Sequence, residues 1–203
     1  MKILLHICCA PCTIYPLSAL RKEGHEVSGL FYNPNIHPYR EYEKRAETLL
    51  TYARQVDLNV IWSKEYGMEN FLRLVIHREQ ERCRYCYYER LKNAVLIAKE
   101  GNFKGFTTTL LYSRFQNHDL IRTIAENLAE EYGIKLVYRD FREGWAEGVK
   151  LSRESGMYRQ PYCGCIYSEK ERFYPGGIGN FAEGTSKVRK NSETTVSILP
   201  HNI

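Results

Sequence analysis

The chain predicts an α/β fold, a doubly wound parallel sheet of about five strands. Two observations carry this: strand-like and helix-like segments alternate along the first 155 residues, and the connections between them are short, as in a parallel sheet covered on both faces. At 203 residues the chain suits one sizeable core. Lys2–Ile7 reads as the first strand and Thr13–Lys22 as a helix stopped by Gly24. Val27–Tyr32 is the second strand, closed by Asn33-Pro34-Asn35. Tyr39–Val56 has helical spacing with its charges on wet faces, and Asn59–Trp62 is a short strand. Helices follow over Met68–Arg78 and Tyr85–Glu100. Gly105–Thr109 is the fourth strand, His118–Tyr132 a helix, Lys135–Tyr138 the fifth strand and Trp145–Ser155 a helix. Residues 1–174 form the expected domain. From 175 to 203 the composition turns to Gly, Ser, Thr and Asn, and an irregular tail belonging to the same domain is expected.

Composition narrows the function classes. The net charge of +5 permits an RNA partner without requiring one. No stretch approaches the roughly 20 apolar residues of a membrane span, and the short run Ile3-Leu4-Leu5, broken by His6, is no signal peptide core. The expectation is a cytoplasmic protein with reduced thiols and no membrane partner. Seven cysteines, an odd number, cannot all be consumed by internal disulfides.

All seven fall in three groups, Cys8-Cys9-Ala-Pro-Cys12, Cys83-Arg-Tyr-Cys86 and Cys163-Gly-Cys165. In an open parallel sheet the ligand site lies beyond the carboxyl ends of the strands. Cys8, Cys9 and Cys12, Asn33 and Asn35, Thr107–Thr109, and Asp140 should therefore share one rim. A structural zinc or a 4Fe–4S cluster takes four thiolates, which leaves three. A second metal with an open position would use that surplus. Asp140 is the non-cysteine candidate for it, or else a turn cap before Arg142. Adjacent residues of an extended segment point apart, so Cys8 and Cys9 are expected to serve different centres. A helix following Pro11 would aim backbone N–H groups at the site and favour thiolates there. Gly164 would let Cys163 and Cys165 turn toward one centre. Two other readings stay open. Cys9-Ala-Pro-Cys12 has the layout of a thioredoxin-like thiol–disulfide oxidoreductase, and four cysteines with basic charge would suit a zinc-stabilised RNA-binding module.

The blocks Leu5–Cys12, Phe31–Asn35, Arg82–Tyr87, Thr107–Leu110, Asp140-Phe141 and Tyr158–Cys165, in this order, resemble the epoxyqueuosine reductases of the QueH type. The resemblance covers the chain to about Ser168. It implies an oxidoreductase acting in the last step of queuosine biosynthesis: two-electron deoxygenation of epoxyqueuosine, carried in a tRNA anticodon, to queuosine. It further implies a 4Fe–4S cluster with an additional adjacent iron, an unidentified electron donor, and a fold akin to the ATP-pyrophosphatase and nucleotide-binding group (HUP-like). The glycine-rich pyrophosphate loop of that group is absent, and Cys8, Cys9 and Cys12 stand in its place, so ATP use is not expected. Candidate ligands are the seven cysteines and Asp140. His6 and Tyr162 are candidate proton donors at the rim. Arg82, Arg84, Arg114, Arg122 and Arg159, with Lys187, Arg189 and Lys190, are candidate phosphate contacts. Tyr85, Tyr87, Tyr158 and Tyr162 could stack the modified base.

Overall fold

Residues 1–174 are described by the computed structural model of the chain. Five parallel strands form one sheet in the order β3-β2-β1-β4-β5. The first strand, β1 (Lys2–His6), lies at the centre, paired with β2 (Glu26–Phe31) on one side and β4 (Gly105–Thr108) on the other. Ile3, Leu4 and Leu5 are wholly buried, as a strand covered on both faces requires. The outer strands are β3 (Val60–Trp62) and β5 (Lys135–Leu136). The order runs outward from β1 to β3, then returns to β4. This reversal puts the helices that connect strands before it and those that connect strands after it on opposite faces. Helix α1 (Ala10–Lys22) packs against α2 (Tyr39–Gln55) and α6 (Trp145–Glu154), and α4 (Arg82–Glu100) against α3 (Met68–Val75) and α5 (His118–Tyr132).

The expected strand–helix order is observed throughout, with three departures that matter for the site. Helix α1 begins at Ala10, with Cys9 as its N-cap and Pro11 in its first turn. Proline is favoured there because its missing N–H has no intrahelical partner in any case. Helix α4 likewise starts at Arg82, three residues before the expected Tyr85, so Cys83 joins Cys86 in its first turns. A further helix, α7 (Ile166–Phe173), was not anticipated; Cys165 is its N-cap, with Sγ accepting from the Ser168 N–H at 3.4 Å. The expected C-terminal tail lies outside the described residues. Among those described, no helix is long and apolar enough to cross a membrane.

Candidate metal centre

The site is built where α1 leaves β1. The Cys8 N–H donates to Thr109 Oγ1 at 3.0 Å, and the Thr109 hydroxyl donates to Cys8 Sγ at 3.2 Å, tying the end of β1 to the end of β4. Asn33, just past β2, donates from Nδ2 to the Ile7 carbonyl at 2.9 Å. The rim expected from topology is therefore present for the first, second and fourth strands. Cys8 and Cys9 do not point apart: their sulfurs are 3.8 Å from each other, and with Cys12 the three Sγ atoms all lie within 4.8 Å of one another. The alternation rule fails because the chain passes from strand to helix between these residues, so side chains no longer follow a strand's two-residue period. Cys9 and Cys12 are buried and Cys8 nearly so. Held this close, the thiols share charge unevenly. The hydrogen bond from Cys12 holds the Cys8 thiol well below its usual range, while burial pushes Cys9 up. Gln160 donates from Nε2 to Cys9 Sγ at 3.0 Å, and its Oε1 is buried without a partner.

The other thiols gather at the neighbouring junction of α4 and α7. Cys86 and Cys165 pack with Phe71 and Val75 in a small apolar cluster, while Cys83 and Cys163 are exposed at its edge. The four perturb one another electrostatically. A hydrogen bond from Cys165 lowers the Cys163 thiol to about 6, and burial raises Cys86 to about 11. The loop that carries Cys163 and Cys165 is pinned from beneath. Arg45, 1% exposed, donates to the Cys163 and Tyr162 carbonyls at 3.0 and 3.1 Å and pairs with Glu41 at 2.7 Å. Gly164 has φ +133°, and a Cβ there would meet Ile36 at 3.0 Å and Arg45 Nη1 at 3.2 Å. A side chain there would be strained by the backbone conformation and tight against both neighbours.

Between the two thiol groups lies Arg90, one helical turn beyond Cys86 and 4% exposed. Nη2 donates to Cys86 Sγ at 3.1 Å, Nε to the Cys86 carbonyl at 3.2 Å, and Nη1 reaches Asn33 Oδ1 at 3.4 Å. Among the described residues no carboxylate forms an ion pair with it. The titratable groups around it are instead Cys86, Cys8, Tyr87 and Cys163. A buried cation is stabilised by a buried anion, and among its neighbours the lowered Cys8 and Cys163 thiols can supply one. The donor set of soft thiolates, the orphaned Gln160 oxygen and this uncompensated cation together fit a negatively charged thiolate–metal centre.

The family model described as "Epoxyqueuosine reductase QueH" matches residues 3–171. The chain belongs to the epoxyqueuosine reductase QueH family. A relative of that name from Dehalococcoides mccartyi is 36% identical over 172 residues, covering 85% of this chain and 94% of the relative. Another from Thermotoga maritima is 37% identical over 180 residues, covering 84% and 91%. In fold, the chain resembles a structure described as a predicted subunit of tRNA methyltransferase from Methanocaldococcus jannaschii, with a TM-score of 0.53 at 15% identity over 76% of this chain and 75% of that one.

Several sequence candidates of this QueH-family chain occupy other roles. His6 is wholly buried, its Nδ1 bonded to Thr108 Oγ1 at 2.9 Å and its Nε2 to the Tyr32 carbonyl at 3.2 Å; burial lowers it to about 3, so it is a neutral strut. Tyr162 donates its hydroxyl to the His37 carbonyl, and burial raises it to about 12. Asp140 caps the 3₁₀ turn Phe141–Gly144: Oδ1 accepts from the Arg142 N–H at 3.0 Å, and Arg142 Nη2 reaches Oδ2 at 2.6 Å. Of the two roles its position allows, the cap is the one observed. Arg82 is paired with Glu171 and fastens α7 to α4, and Arg122 is paired with Glu126 at 2.7 Å. Tyr87 and Tyr158 donate to Gln116 and Glu41, and Tyr85 lies beneath Arg78. Arg84 and Arg114 are exposed. Lys187, Arg189 and Lys190 lie outside the described residues. Arg90, Arg45 and Gln160 escaped the sequence reading as site residues. For Arg90 a signal existed, since it lies four residues after Cys86 and so on the same helix face.

Proposed function

We propose that residues 1–174 are the catalytic unit that deoxygenates epoxyqueuosine in a tRNA anticodon, with a metal centre divided between the two thiol groups. In the balanced reaction both C–O bonds of the epoxide break, an alkene forms, and the oxygen leaves as water after taking up two electrons and two protons. The observation that carries the division is Arg90, a buried cation lying between a three-thiol and a four-thiol group with no carboxylate among the described residues to offset it. Cys83, Cys86, Cys163 and Cys165 would hold a 4Fe–4S cluster, which needs four thiolates spaced more widely than those round a single ion. Cys8, Cys9 and Cys12 would hold the additional iron, with a position left open to substrate.

When bound, these groups would supply single electrons from an external donor and a Lewis acid for the epoxide oxygen, whose departure as an alkoxide is otherwise slow. The chain's own residues prepare the site. Thr109 orients Cys8, and Gln160 donates to Cys9 while offering an unused acceptor beside the triad. Arg45 fixes the Cys163–Cys165 loop. His6 and Tyr162, whose polar atoms are engaged, hold the rim, and the two protons are drawn from water. Arg84, Arg114 and Arg159 remain as phosphate contacts. Unpaired thiols and an RNA substrate fit the reducing cytoplasm. The dithiol alternative is less well supported, because Cys9 and Cys12 do not stand as an isolated pair but converge with Cys8.

The test is turnover under anaerobic conditions. Protein loaded with iron and sulfide, given dithionite and tRNA bearing epoxyqueuosine, should yield a nucleoside lighter by one oxygen. Fully loaded protein that leaves the epoxide intact under these conditions contradicts the proposal.

A further inference from the structure

Phe115 is the most exposed large hydrophobic side chain among the described residues, at 84%. It sits just past the 3₁₀ turn Thr109–Tyr112, at the carboxyl end of β4 and so on the rim of the site. A ring held in water forfeits the free energy of burial, and such rings mark places where something docks. Phe115 is also braced. Its ring meets Trp145 edge-on at 5.5 Å, and Trp145 lies 5.1 Å from the ring of Tyr112, whose hydroxyl donates to the Trp145 carbonyl at 3.2 Å. Gly148 permits this approach, since a Cβ there would meet the Tyr112 oxygen at 2.3 Å. The Tyr112 hydroxyl in turn feels Cys12, Cys9, Arg159 and Arg114. A path of packed rings thus leads from exposed Phe115 through Trp145 to Tyr112, whose hydroxyl lies within electrostatic reach of Cys9 and Cys12.

The charge beside this path is positive. The Arg114 guanidinium lies 6.0 Å over the Trp145 ring, and Arg159 donates to Ser152 and the Val149 carbonyl; neither pairs with a carboxylate among the described residues. Along α6 runs an open groove of about 450 Å³ lined by Trp145, Ala146, Val149, Lys150, Arg153 and Glu154. A flat ring beside arginines without carboxylate partners, and a groove of this size, suit an unstacked base with its phosphates.

We infer that Phe115, Trp145 and the groove along α6 seat an unpaired nucleotide next to the modified one, its base stacked on Phe115 and its phosphates met by Arg114 and Arg159. This rests on the RNA-dependent function proposed above. It deepens that reading by assigning a stacking platform that contacts no metal.

The test compares Phe115→Ala, Phe115→Leu and Phe115→Tyr in iron-loaded protein, using an anticodon stem–loop that carries epoxyqueuosine. Phe115 is on the surface, so all three should fold, which circular dichroism checks. Loss of a stacked base raises Kd and KM about five- to tenfold in the alanine variant. Tyrosine should restore both, and leucine only in part, because it is apolar but has no π face. The kcat at saturating RNA should stay at the wild-type value, as should turnover of the free epoxyqueuosine nucleoside. An alanine variant with wild-type Kd and KM for the stem–loop, while the wild type turns it over, overturns the inference and leaves the proposed function standing. An alanine variant impaired only when a protein electron donor replaces dithionite also overturns it, and makes the patch a reductase-docking surface. If the wild-type protein neither binds nor reduces the stem–loop, the proposed function fails and the inference with it.

Discussion

Arg90→Met should change stability in opposite directions with and without metal. In the metal-free chain the guanidinium is 4% exposed, and burial raises Cys86, the one thiol it touches, so its direct partner is neutral; only the more distant Cys8 and Cys163 thiols are lowered. Replacing an under-compensated buried ion by an apolar side chain of similar length is neutral or stabilising, by about 1–4 kcal/mol. In the loaded protein the same residue faces thiolates fixed as anions by their metals. Removing one partner of a compensated buried pair costs about 3–5 kcal/mol. By linkage, that cost plus any gain in the metal-free chain appears as weaker metal retention, by at least about two decades in the competition with a chelator. The assay is anaerobic guanidinium unfolding of the metal-free protein together with equilibrium transfer of iron to a chelator. Arg90→Lys keeps the charge without the fork that reaches both Cys86 and Asn33, and should fall between. If the metal-free protein is destabilised by several kcal/mol while iron retention is unchanged, Arg90 is an ordinary packing residue and the argument for a centre divided around it is refuted.

Other outcomes follow from the same geometry. Asp140→Asn should retain the cap at a cost of at most about 1 kcal/mol, because asparagine caps almost as well, with iron content and turnover unchanged; loss of about one iron per chain would instead make Asp140 a ligand. Cys86→Ser and Cys165→Ser should each remove most of the visible absorption of the anaerobic protein, and full colour in either variant would take that residue out of the ligand set. His6, lowered to about 3, and His37 and His118, also lowered chiefly by burial, are neutral in the fold. The unfolded chain therefore binds more protons below pH 6.5, and metal-free stability should be complete above that value and decline as the pH falls from it toward 3. The slope is up to about 1.4 kcal/mol per pH unit for each histidine still neutral. A urea midpoint flat between pH 6.5 and 4.5, or one no flatter in His6→Gln, contradicts this.

The fold was legible because strand-like and helix-like segments alternate and the helices are punctuated by Gly24, Gly101 and Gly133. From the fold, the meeting of Cys8, Asn33 and Thr109 at one rim followed. What failed depended on where the chain changes from one regular structure to another. The convergence of Cys8 and Cys9 arises at such a junction, and neither strand nor helix periodicity describes it. Helix α7 escaped notice because a thiol, not one of the usual Ser, Thr, Asp or Asn caps, stands at its start. His6, Tyr162 and Arg82 were plausible at the site by residue type and proximity, but their partners come from segments far away in sequence: Thr108, His37 and Glu171. Arg90 reads as one more charge in a charged helix until its neighbours are seen to lack carboxylates.

The most direct test of the divided metal centre is the iron and acid-labile sulfide content of anaerobically loaded protein, measured for the wild type and for a variant with Cys8, Cys9 and Cys12 all replaced by Ser. The account predicts about five irons and about four sulfides per chain in the wild type, and about four of each in the variant. Equal amounts of iron and sulfide in the wild type, unchanged by removal of the triad, would contradict it.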